Sequence, residues 1–159
     1  MKILVLSDTH GDISNARKAI LKNKDTDLII HLGDYFRDAE NIKKEFPNIP
    51  IEYIYGNSDF MLGNTPAEKT LEIQGKRLFI THGHRYSVNW GYNKLYYKAQ
   101  EAKADILLFG HTHIAEILEN DCCLIINPGS ISASRSYKGE SYALIEINEN
   151  NIKPQLCYI

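Results

Sequence analysis

The chain has 159 residues and a formal net charge of −2, from 18 Lys and Arg against 20 Asp and Glu. This length suits one compact domain spanning residues 1–159 and leaves no room for a second. The basic residues are spread along the chain instead of forming a run, which argues against nucleic-acid duplexes and anionic membranes as partners.

The chain begins with a short apolar stretch that Asp8 interrupts, which is not the pattern of a signal peptide. Nothing later approaches the roughly 18 unbroken apolar residues of a membrane span, so we predict a cytoplasmic location. The cysteines are odd in number, and the side chains of the adjacent pair would point to opposite faces of a strand. We therefore expect neither a disulfide framework nor a cysteine metal site from Cys122, Cys123 and Cys157.

In the first third of the chain, apolar strands alternate with amphipathic helices. Strands are predicted in KILVLS (2–7), DTDLIIHLGD (25–34) and PIEYIYGNSD (50–59). Apolar residues at helical spacing between them predict two helices, one ending near Lys22–Asn23 and one ending before Pro47. Right-handed crossovers would make the strands parallel, so the polar residues after each strand are expected along one sheet edge, where open α/β sheets bind ligands.

The remainder of the chain is richer in strands. Alternation around a turn at Gln74-Gly75 predicts a hairpin of Lys69–Ile73 and Arg77–Thr81. Helical spacing predicts a helix over Asn89–Ala104, and further strands are predicted in DILLFGHTH, AEILEN, CCLIINPGS, SYALIEI and KPQLCYI. The fold class is therefore α/β, a four-layer α-β-β-α sandwich of two packed mixed sheets flanked by helices.

Residues that can bind metals stand at the ends of the predicted strands. Each one alone is an ordinary turn residue, but seven at ends that share an edge indicate a site. In an extended segment residues i and i+2 point the same way, so each D-x-H or H-x-H pair is expected to converge on one small target. The seven are Asp8, His10, Asp34, Asn57, His82, His111 and His113.

This ligand set suits a pair of transition-metal ions. Mixed imidazole and carboxylate ligation favours Mn, Fe, Co, Ni or Zn over Ca or Mg. Six or seven ligands are too many for one catalytic ion with an open position. The set fits two ions bridged by a carboxylate, at the roughly 3.5–4 Å separation of two-metal hydrolases.

The ordered motifs LSDTHGD, HLGD, YGNSD, THGH and FGHTH, followed by INPGS, resemble the calcineurin-like metallophosphoesterase superfamily. The short chain is most similar to its minimal single-domain bacterial and archaeal phosphodiesterase branch, and the resemblance covers essentially the whole chain. It implies a dinuclear, metal-dependent phosphodiesterase that acts on a small phosphoester, with Mn or Ni favoured. A homodimer or homotetramer is compatible with it.

The resemblance also implies a role for each residue. Asp8, His10, Asp34 and His113 would surround one ion; Asn57, His82 and His111 would join the bridging Asp34 around the other. Asp34, Asn57 and His82 are also expected to act in catalysis. The two ions would polarise the phosphoryl oxygens and provide a bridging hydroxide as nucleophile at neutral pH.

The sequence departs from the pattern of many superfamily members at Ser58, where they have a histidine that protonates the leaving oxygen. A serine hydroxyl is a poor general acid near pH 7, so that contribution, typically about 10²–10⁴-fold, is absent or comes from water. We therefore predict a preference for acidic leaving groups. The minimal branch often lacks this histidine too.

Several other residues allow two interpretations. His31 is predicted to be a hydrogen-bonded core histidine. His84 could orient a ligand or phosphate, Asp59 could bond a ligating histidine or cap a turn, and the loop 127–130 could be structural or line the site. Arg85 and Arg135 could contact phosphate or could simply be exposed to solvent. Helix packing is favoured for Trp90, Tyr92, Tyr96 and Tyr97, which would mark a dimer surface if exposed.

Two further functions remain open from the sequence. One is a phosphomonoesterase or nucleotide phosphatase of the same fold. The other is a non-catalytic interaction scaffold that resembles a retromer subunit. Such scaffolds tend to lose metal ligands, whereas all seven are present here.

Overall fold

The computed structural model describes residues 1–119 and 123–159. The first sheet begins with three parallel strands, β1 (Lys2–Leu6), β2 (Leu28–His31) and β3 (Ile51–Tyr53). Helices α1 (Ser14–Lys22) and α2 (Phe36–Glu45) connect them. Both helices end where the sequence predicted.

The second sheet starts with the predicted hairpin. Its strands are β4 (Glu68–Ile73), β5 (Lys76–Thr81), β6 (Ile106–Leu108), β7 (Ala115–Glu119) and β8 (Leu124–Pro128), in the order β4-β5-β6-β8-β7. Strands β5, β6 and β8 are parallel. Their carboxyl ends therefore lie at one edge of this sheet.

The last two strands return to the first sheet. Strand β9 (Ser141–Asn148) pairs antiparallel with β1, and β10 (Asn151–Tyr158) pairs antiparallel with β9. The first sheet thus has the order β10-β9-β1-β2-β3 and the ends of the chain form part of the same layer. The simple division into an α/β half and a strand-rich half did not predict this return.

The apolar core has three layers, which confirms the four-layer sandwich. Successive residues of β1 point to opposite faces of the sheet. Ile3 and Val5 pack between the two sheets, and Leu4 and Leu6 pack against α1 and α2. Burying each such side chain contributes about 1.5–3 kcal/mol, which explains why the central strands are apolar without interruption.

The predicted helix over 89–104 is wrong at its start. Helix α3 spans Asn93–Ala102 and packs on the outer face of the second sheet. Two short 3₁₀ turns precede it, His84–Tyr86 and Val88–Trp90. Gly91, with φ of 135°, separates them from α3 because that backbone conformation cannot continue a helix.

Among residues 1–119 and 123–159, no helix combines the length and apolar character needed to cross a membrane. The cysteine prediction falls partly on Cys122, which lies outside the described residues. Cys123 packs in the layer beside α3, whereas Cys157 packs against the outer face of the first sheet. These two cysteines therefore belong to different layers of the sandwich.

Candidate metal centre

The predicted site residues lie where the parallel strands of the two sheets end. Asp8 follows β1, Asp34 follows β2 and Asn57 follows β3, while His82 follows β5 and His111 follows β6. The site therefore lies between the adjoining edges of two sheets, and the expectation of a single sheet edge is corrected. Packing the sheets face to face brings both sets of strand ends together.

The pairs of ligand residues are not extended, contrary to the reasoning from strand alternation. Their backbones are left-handed, with φ of 56° at Asp8, 47° at His10, 71° at His111 and 61° at His113. Asp34 is left-handed as well, with φ of 53°. Such conformations are uncommon outside glycine and often mark functional sites, where the surrounding structure maintains them.

Four of the seven residues form one group, which we call the first cluster: Asp8, His10, Asp34 and His113. Each offers one ligand atom, and these atoms all lie within 4.8 Å of one another. His113 Nε2 lies 3.1 Å from Asp8 Oδ1 and 3.3 Å from His10 Nε2. His10 Nε2 lies 3.7 Å from Asp34 Oδ2.

The other three residues, Asn57, His82 and His111, form the second cluster beside Asp34. His82 Nε2 lies 3.4 Å from Asp34 Oδ1 and 3.1 Å from Asn57 Oδ1. The His111 ring centre is 5.2 Å from that of His82. The two histidines of the G-H-x-H motif therefore face different clusters.

Backbone carbonyls orient two of the histidines. His82 Nδ1 donates to the carbonyl oxygen of Leu32 at 2.8 Å, and His113 Nδ1 donates to that of Ala133 at 2.6 Å. A carbonyl only accepts, so the Nδ1 atoms carry the protons. In the neutral rings Nε2 then has its lone pair directed into the clusters, as is typical of metal-ligating histidines.

The contacts of Asp8 fit a bound cation. Its Oδ1 atom is buried and makes no hydrogen bond to any residue in the described ranges, although His113 Nε2 is only 3.1 Å away. Two acceptor atoms at this distance repel each other unless a proton or a metal ion lies between them. Transition-metal ligand bonds of about 2.0–2.2 Å match the spacing of this donor set. The residues therefore fit a metal ion.

The charges of the site perturb its titrating groups. Burial opposes ionisation of Asp8, but contacts with His113 and His82 outweigh it and lower its pKa. Burial likewise opposes charge on His82, and contact with Asp34 outweighs it and raises the pKa of His82. Contact with Asp8 raises the pKa of His113. Contact between carboxylates and histidines thus shifts the pKa of each of these groups toward its charged form.

Two glycines allow the strand ends to approach so closely. A Cβ atom on Gly56 would lie 2.2 Å from Asp34 Oδ1, and one on Gly110 would lie 2.1 Å from the Ser7 hydroxyl. Either would clash, so any larger residue at these positions would displace Asp34 or Ser7. The glycines of the G-N and G-H motifs thus serve close packing around the carboxylates.

The loop after β8 supports the first cluster. The hydroxyls of Ser130 and Ser132 both donate to the Asp8 carbonyl, at 2.8 and 3.0 Å. The Asn127 side-chain amide donates to the Gly110 carbonyl and to the Thr112 hydroxyl. The loop 127–130 therefore has a structural role beneath the site, and whether it also lines the site stays a prediction.

Asp59 caps a turn and does not bond a ligating histidine. Its Oδ1 atom accepts from the N–H groups of Tyr35 and Phe36, both at 2.9 Å, and its Oδ2 accepts from that of Gly56 at 2.8 Å. It thereby joins the loop after Asp34 to the loop that carries Asn57.

His31 is a buried core histidine, as predicted. Thr9 Oγ1 lies 3.1 Å from its Nε2, and the Gly33 N–H donates to its Nδ1 at 3.2 Å. Burial lowers the pKa of His31 to about 4. The ring therefore stays neutral beneath the loops that carry Asp8 and Asp34.

His84 lies beside the second cluster, with its ring centre 5.4 Å from that of His82. Burial and the charge of His82 lower its pKa to about 4. Arg85 and Arg135 are both exposed. Whether these three residues contact phosphate stays a prediction.

The aromatic group on and before α3 divides into two pairs. Tyr92 and Tyr96 pack on the core, and Tyr92 also donates a hydrogen bond to Glu116. Trp90 and Tyr97 are exposed. The helix-packing interpretation therefore holds for Tyr92 and Tyr96 but not for Trp90 and Tyr97.

Sequence reasoning missed two residues that contact the site. The Ser7 hydroxyl donates to Asp8 Oδ2 at 2.5 Å, and its position at a strand end was a usable signal. The Asn89 side-chain amide donates to His111 Nε2 at 3.0 Å. No local pattern pointed to Asn89, because the contact joins a 3₁₀ turn to a loop 22 residues away.

Comparison with known proteins agrees with the fold and identifies the family. The family model for the calcineurin-like phosphoesterase superfamily domain matches residues 1–150. The chain is 34% identical over 154 residues to a probable metallophosphoesterase, YsnB, of Bacillus subtilis, covering 94% of this chain and 86% of that protein. It is also 34% identical over 146 residues to the phosphodiesterase MJ0936 of Methanocaldococcus jannaschii, covering 81% of this chain and 83% of that protein.

Among solved structures, a conserved protein of Streptococcus pneumoniae described as a predicted phosphoesterase superposes with a TM-score of 0.84 and 31% identity. The match covers 99% of this chain and 88% of that one. The chain therefore belongs to the calcineurin-like phosphoesterase superfamily, as its motifs indicated. Members of this family are metal-dependent hydrolases, and the Asp and His residues of the first cluster form a candidate metal site.

Proposed function

We propose that this chain hydrolyses phosphodiester bonds with two divalent transition-metal ions, one held by each cluster. The observation that carries the proposal is that carboxylate oxygens of Asp8 and Asp34 and histidine nitrogens of both clusters lie close together. Asp8 Oδ1 lies 3.1 Å from His113 Nε2 and 3.9 Å from His82 Nε2. Asp34 is close to histidines of both clusters, so its two oxygens can serve one ion each.

Each cluster residue contributes position or charge. Asp8, His10 and His113 would hold one ion with Asp34, and Asn57, His82 and His111 would hold the other. When bound, the ions would polarise the phosphoryl oxygens and activate a water molecule, so that no side-chain base is required at neutral pH. Because Asn57 is neutral, two bound divalent ions would face only two carboxylates, which would leave net positive charge for an anionic phosphoester.

Departure of the leaving group is the step that the side chains of this site assist least. The Ser58 hydroxyl donates to Asp34 Oδ2 at 3.0 Å, and its N–H donates to Asp34 Oδ1 at 2.9 Å. The Ser58 side chain therefore positions Asp34 and does not protonate a leaving oxygen. An ester whose leaving group has a low pKa is the better substrate for such a site.

The test combines metal content with turnover. The purified chain, supplied with Mn or Ni, is expected to bind close to two ions by elemental analysis and to hydrolyse bis(p-nitrophenyl) phosphate. The variant Asp34→Asn should lose both properties. Asp25→Asn is the matched control, because Asp25 is an exposed carboxylate paired with Lys2.

Other outcomes separate the alternatives. Faster turnover of p-nitrophenyl phosphate than of the diester would assign a phosphomonoesterase instead. Absence of both bound metal and turnover after supplementation would overturn the proposal and favour a non-catalytic role.

A further inference from the structure

A shallow groove of about 50 Å³ lies beside the metal centre, along the loops after Asp34 and Asn57. The Ser58 hydroxyl, bonded to Asp34 Oδ2 at 3.0 Å, marks the end next to the site. The Tyr35 ring also flanks this end, 5.7 Å from the ring of His10 between centres. We call this the aromatic groove; its walls are Tyr35, Phe36, Arg37, Ser58, Asp59 and Phe60.

The position of the groove relates it to the substrate. A phosphoryl group held beside Asp34 and His10 has two ester substituents in a phosphodiester. One of them would point to the mouth of the aromatic groove, since Tyr35 and Ser58 are the neighbours of the site on that side.

A larger cavity adjoins the groove. Phe36 and Arg37 line both, and the larger cavity has a volume of about 630 Å³. Cavities of about 300–1,000 Å³ are typical of small-molecule sites.

The side chains of the groove favour a planar aromatic group. Tyr35 and Phe60 are 41% and 68% exposed, so both present ring surface to solvent. Single exposed aromatic residues are common, but these two line the same groove beside the site. Aromatic rings prefer offset-stacked or edge-to-face contacts with other rings, which a compact alkyl group does not provide.

The groove is also ordered in advance. Asp59 accepts hydrogen bonds from the N–H groups of Tyr35 and Phe36, both at 2.9 Å, and lies directly before Phe60 in the chain. Tyr35 is kept in a left-handed conformation, with φ of 74°. These bonds hold the backbone that carries Tyr35 and Phe36, which reduces the ordering that a ligand must impose on this loop.

We propose that the aromatic groove binds the ester substituent that remains on the phosphate, and that this substituent carries a planar aromatic ring. The inference rests on the proposed phosphodiesterase function and names the class of diester that this function would select. Tyr35 and Phe60 are its specificity-determining residues.

The test uses two diesters with the same leaving group, phenyl p-nitrophenyl phosphate and methyl p-nitrophenyl phosphate. The readout is the ratio of kcat/KM for the phenyl ester to that for the methyl ester. Phe60→Ala and Tyr35→Leu should each lower this ratio about two- to twelvefold, the range for loss of one aromatic contact. Comparison with the unsubstituted chain cancels the intrinsic reactivity of the esters.

The controls separate the ring from the rest of the side chain. Tyr35→Phe retains the ring and should keep the ratio. Tyr97→Ala removes an exposed tyrosine on α3, outside the groove, and should keep it as well. An unchanged ratio in both Phe60→Ala and Tyr35→Leu would overturn the inference while leaving the proposed function intact.

If the unsubstituted, Mn-supplied chain hydrolyses neither ester, the proposed function is overturned. The groove is then tested by a binding measurement. Isothermal titration with phenylphosphonate and methylphosphonate then tests the groove alone. Two- to twelvefold tighter binding of phenylphosphonate, about the worth of one aromatic contact and lost in Phe60→Ala, would support it. Equal Kd values for the two phosphonates would overturn it.

Discussion

The two clusters of the metal centre differ in how far the protein arranges them on its own. In the first cluster Asp8 and Asp34 are buried, and four ligand atoms already lie within 4.8 Å of one another. In the second cluster Asn57 is exposed, and His111 Nε2 accepts a hydrogen bond from Asn89. The ligand atoms of the first cluster thus already converge within the protein, whereas His111 of the second cluster would exchange its contact with Asn89, a residue outside the clusters, for a metal bond.

If each cluster holds one ion, as we propose, this difference predicts that the two ions are bound with unequal strength. Preorganisation lowers the cost of binding because fewer groups have to be ordered or released. We therefore expect the first cluster to retain its metal when the second has lost it. The following predictions test that order, beginning with the largest expected effect.

Substitution of a first-cluster carboxylate should cost the most. Asp8→Asn removes a buried charge in contact with His113 and His82, and should weaken metal binding by more than the roughly 10–100-fold typical of residues that only orient a ligand. His111→Asn should release only the second ion. Metal content after dialysis against a graded chelator measures both. A greater loss of metal from His111→Asn than from Asp8→Asn would reverse the proposed order.

His31 should make the support of the first cluster sensitive to acid. Its pKa is lowered from 6.5 to about 4 in the fold, so the unfolded chain binds the proton first as the pH falls. The contribution of neutral His31 to the free energy of unfolding is then fully present above about pH 6.5. It falls by about 3 kcal/mol between that pH and pH 4. Urea unfolding of the metal-free chain at several pH values measures this slope.

The control for His31 is the variant His31→Gln, which has no titrating ring. Its free energy of unfolding should be lower at pH 7 because the hydrogen bonds of the ring are lost, but it should fall less steeply toward pH 4. Parallel slopes for the two proteins would show that the acid sensitivity comes from another group.

Ser58→His should supply a general acid next to the shared residue Asp34. We expect a gain of up to about 100-fold in kcat on diesters with alkyl leaving groups, the lower end of the usual contribution of such an acid. Turnover of bis(p-nitrophenyl) phosphate should not increase, since nitrophenolate leaves without protonation and the variant loses the bond from the Ser58 hydroxyl to Asp34. If kcat on alkyl esters does not increase, the supply of a proton to the leaving group does not limit the rate at this site.

The smallest effect is expected at Asn89. Asn89→Ala frees His111 Nε2 from a 3.0 Å hydrogen bond and should tighten binding at the second cluster about two- to twelvefold, the worth of one such bond. Titration of the second equivalent of Mn measures it. Weaker binding in this variant would mean that Asn89 positions His111 instead of competing with the metal.

Much of the fold could be predicted from local patterns. Continuous apolar runs predicted β1, β2 and β3, and helix-ending signals placed the ends of α1 and α2 correctly. The start of α3 was missed because the prediction extended the helix back to Asn89, through Gly91, whose backbone cannot be helical. The pairing of β9 with β1 was missed because it joins segments from opposite ends of the chain.

The seven candidate ligands were predicted as a set, and the structure brings them together. The reason first given for their convergence was wrong, because the D-x-H and H-x-H pairs are turned and not extended. Their assignment to individual ions stays a prediction, as do the native metal, the oligomeric state and the cytoplasmic location. Asn89 and the aromatic groove had no signal at sequence level, since both depend on contacts between distant segments.

The sequence alone determined the class of fold, the family and the residue types at each strand end, because these depend on apolar periodicity and short motifs. Only the tertiary structure decided that the site lies between two sheets and that the D-x-H and H-x-H pairs are turned, whereas the separation of His111 from His113 agrees with what the family resemblance implied. The physical reason is that left-handed turns and packing of the sheets aim these side chains. Neither can be read from the spacing of neighbouring residues.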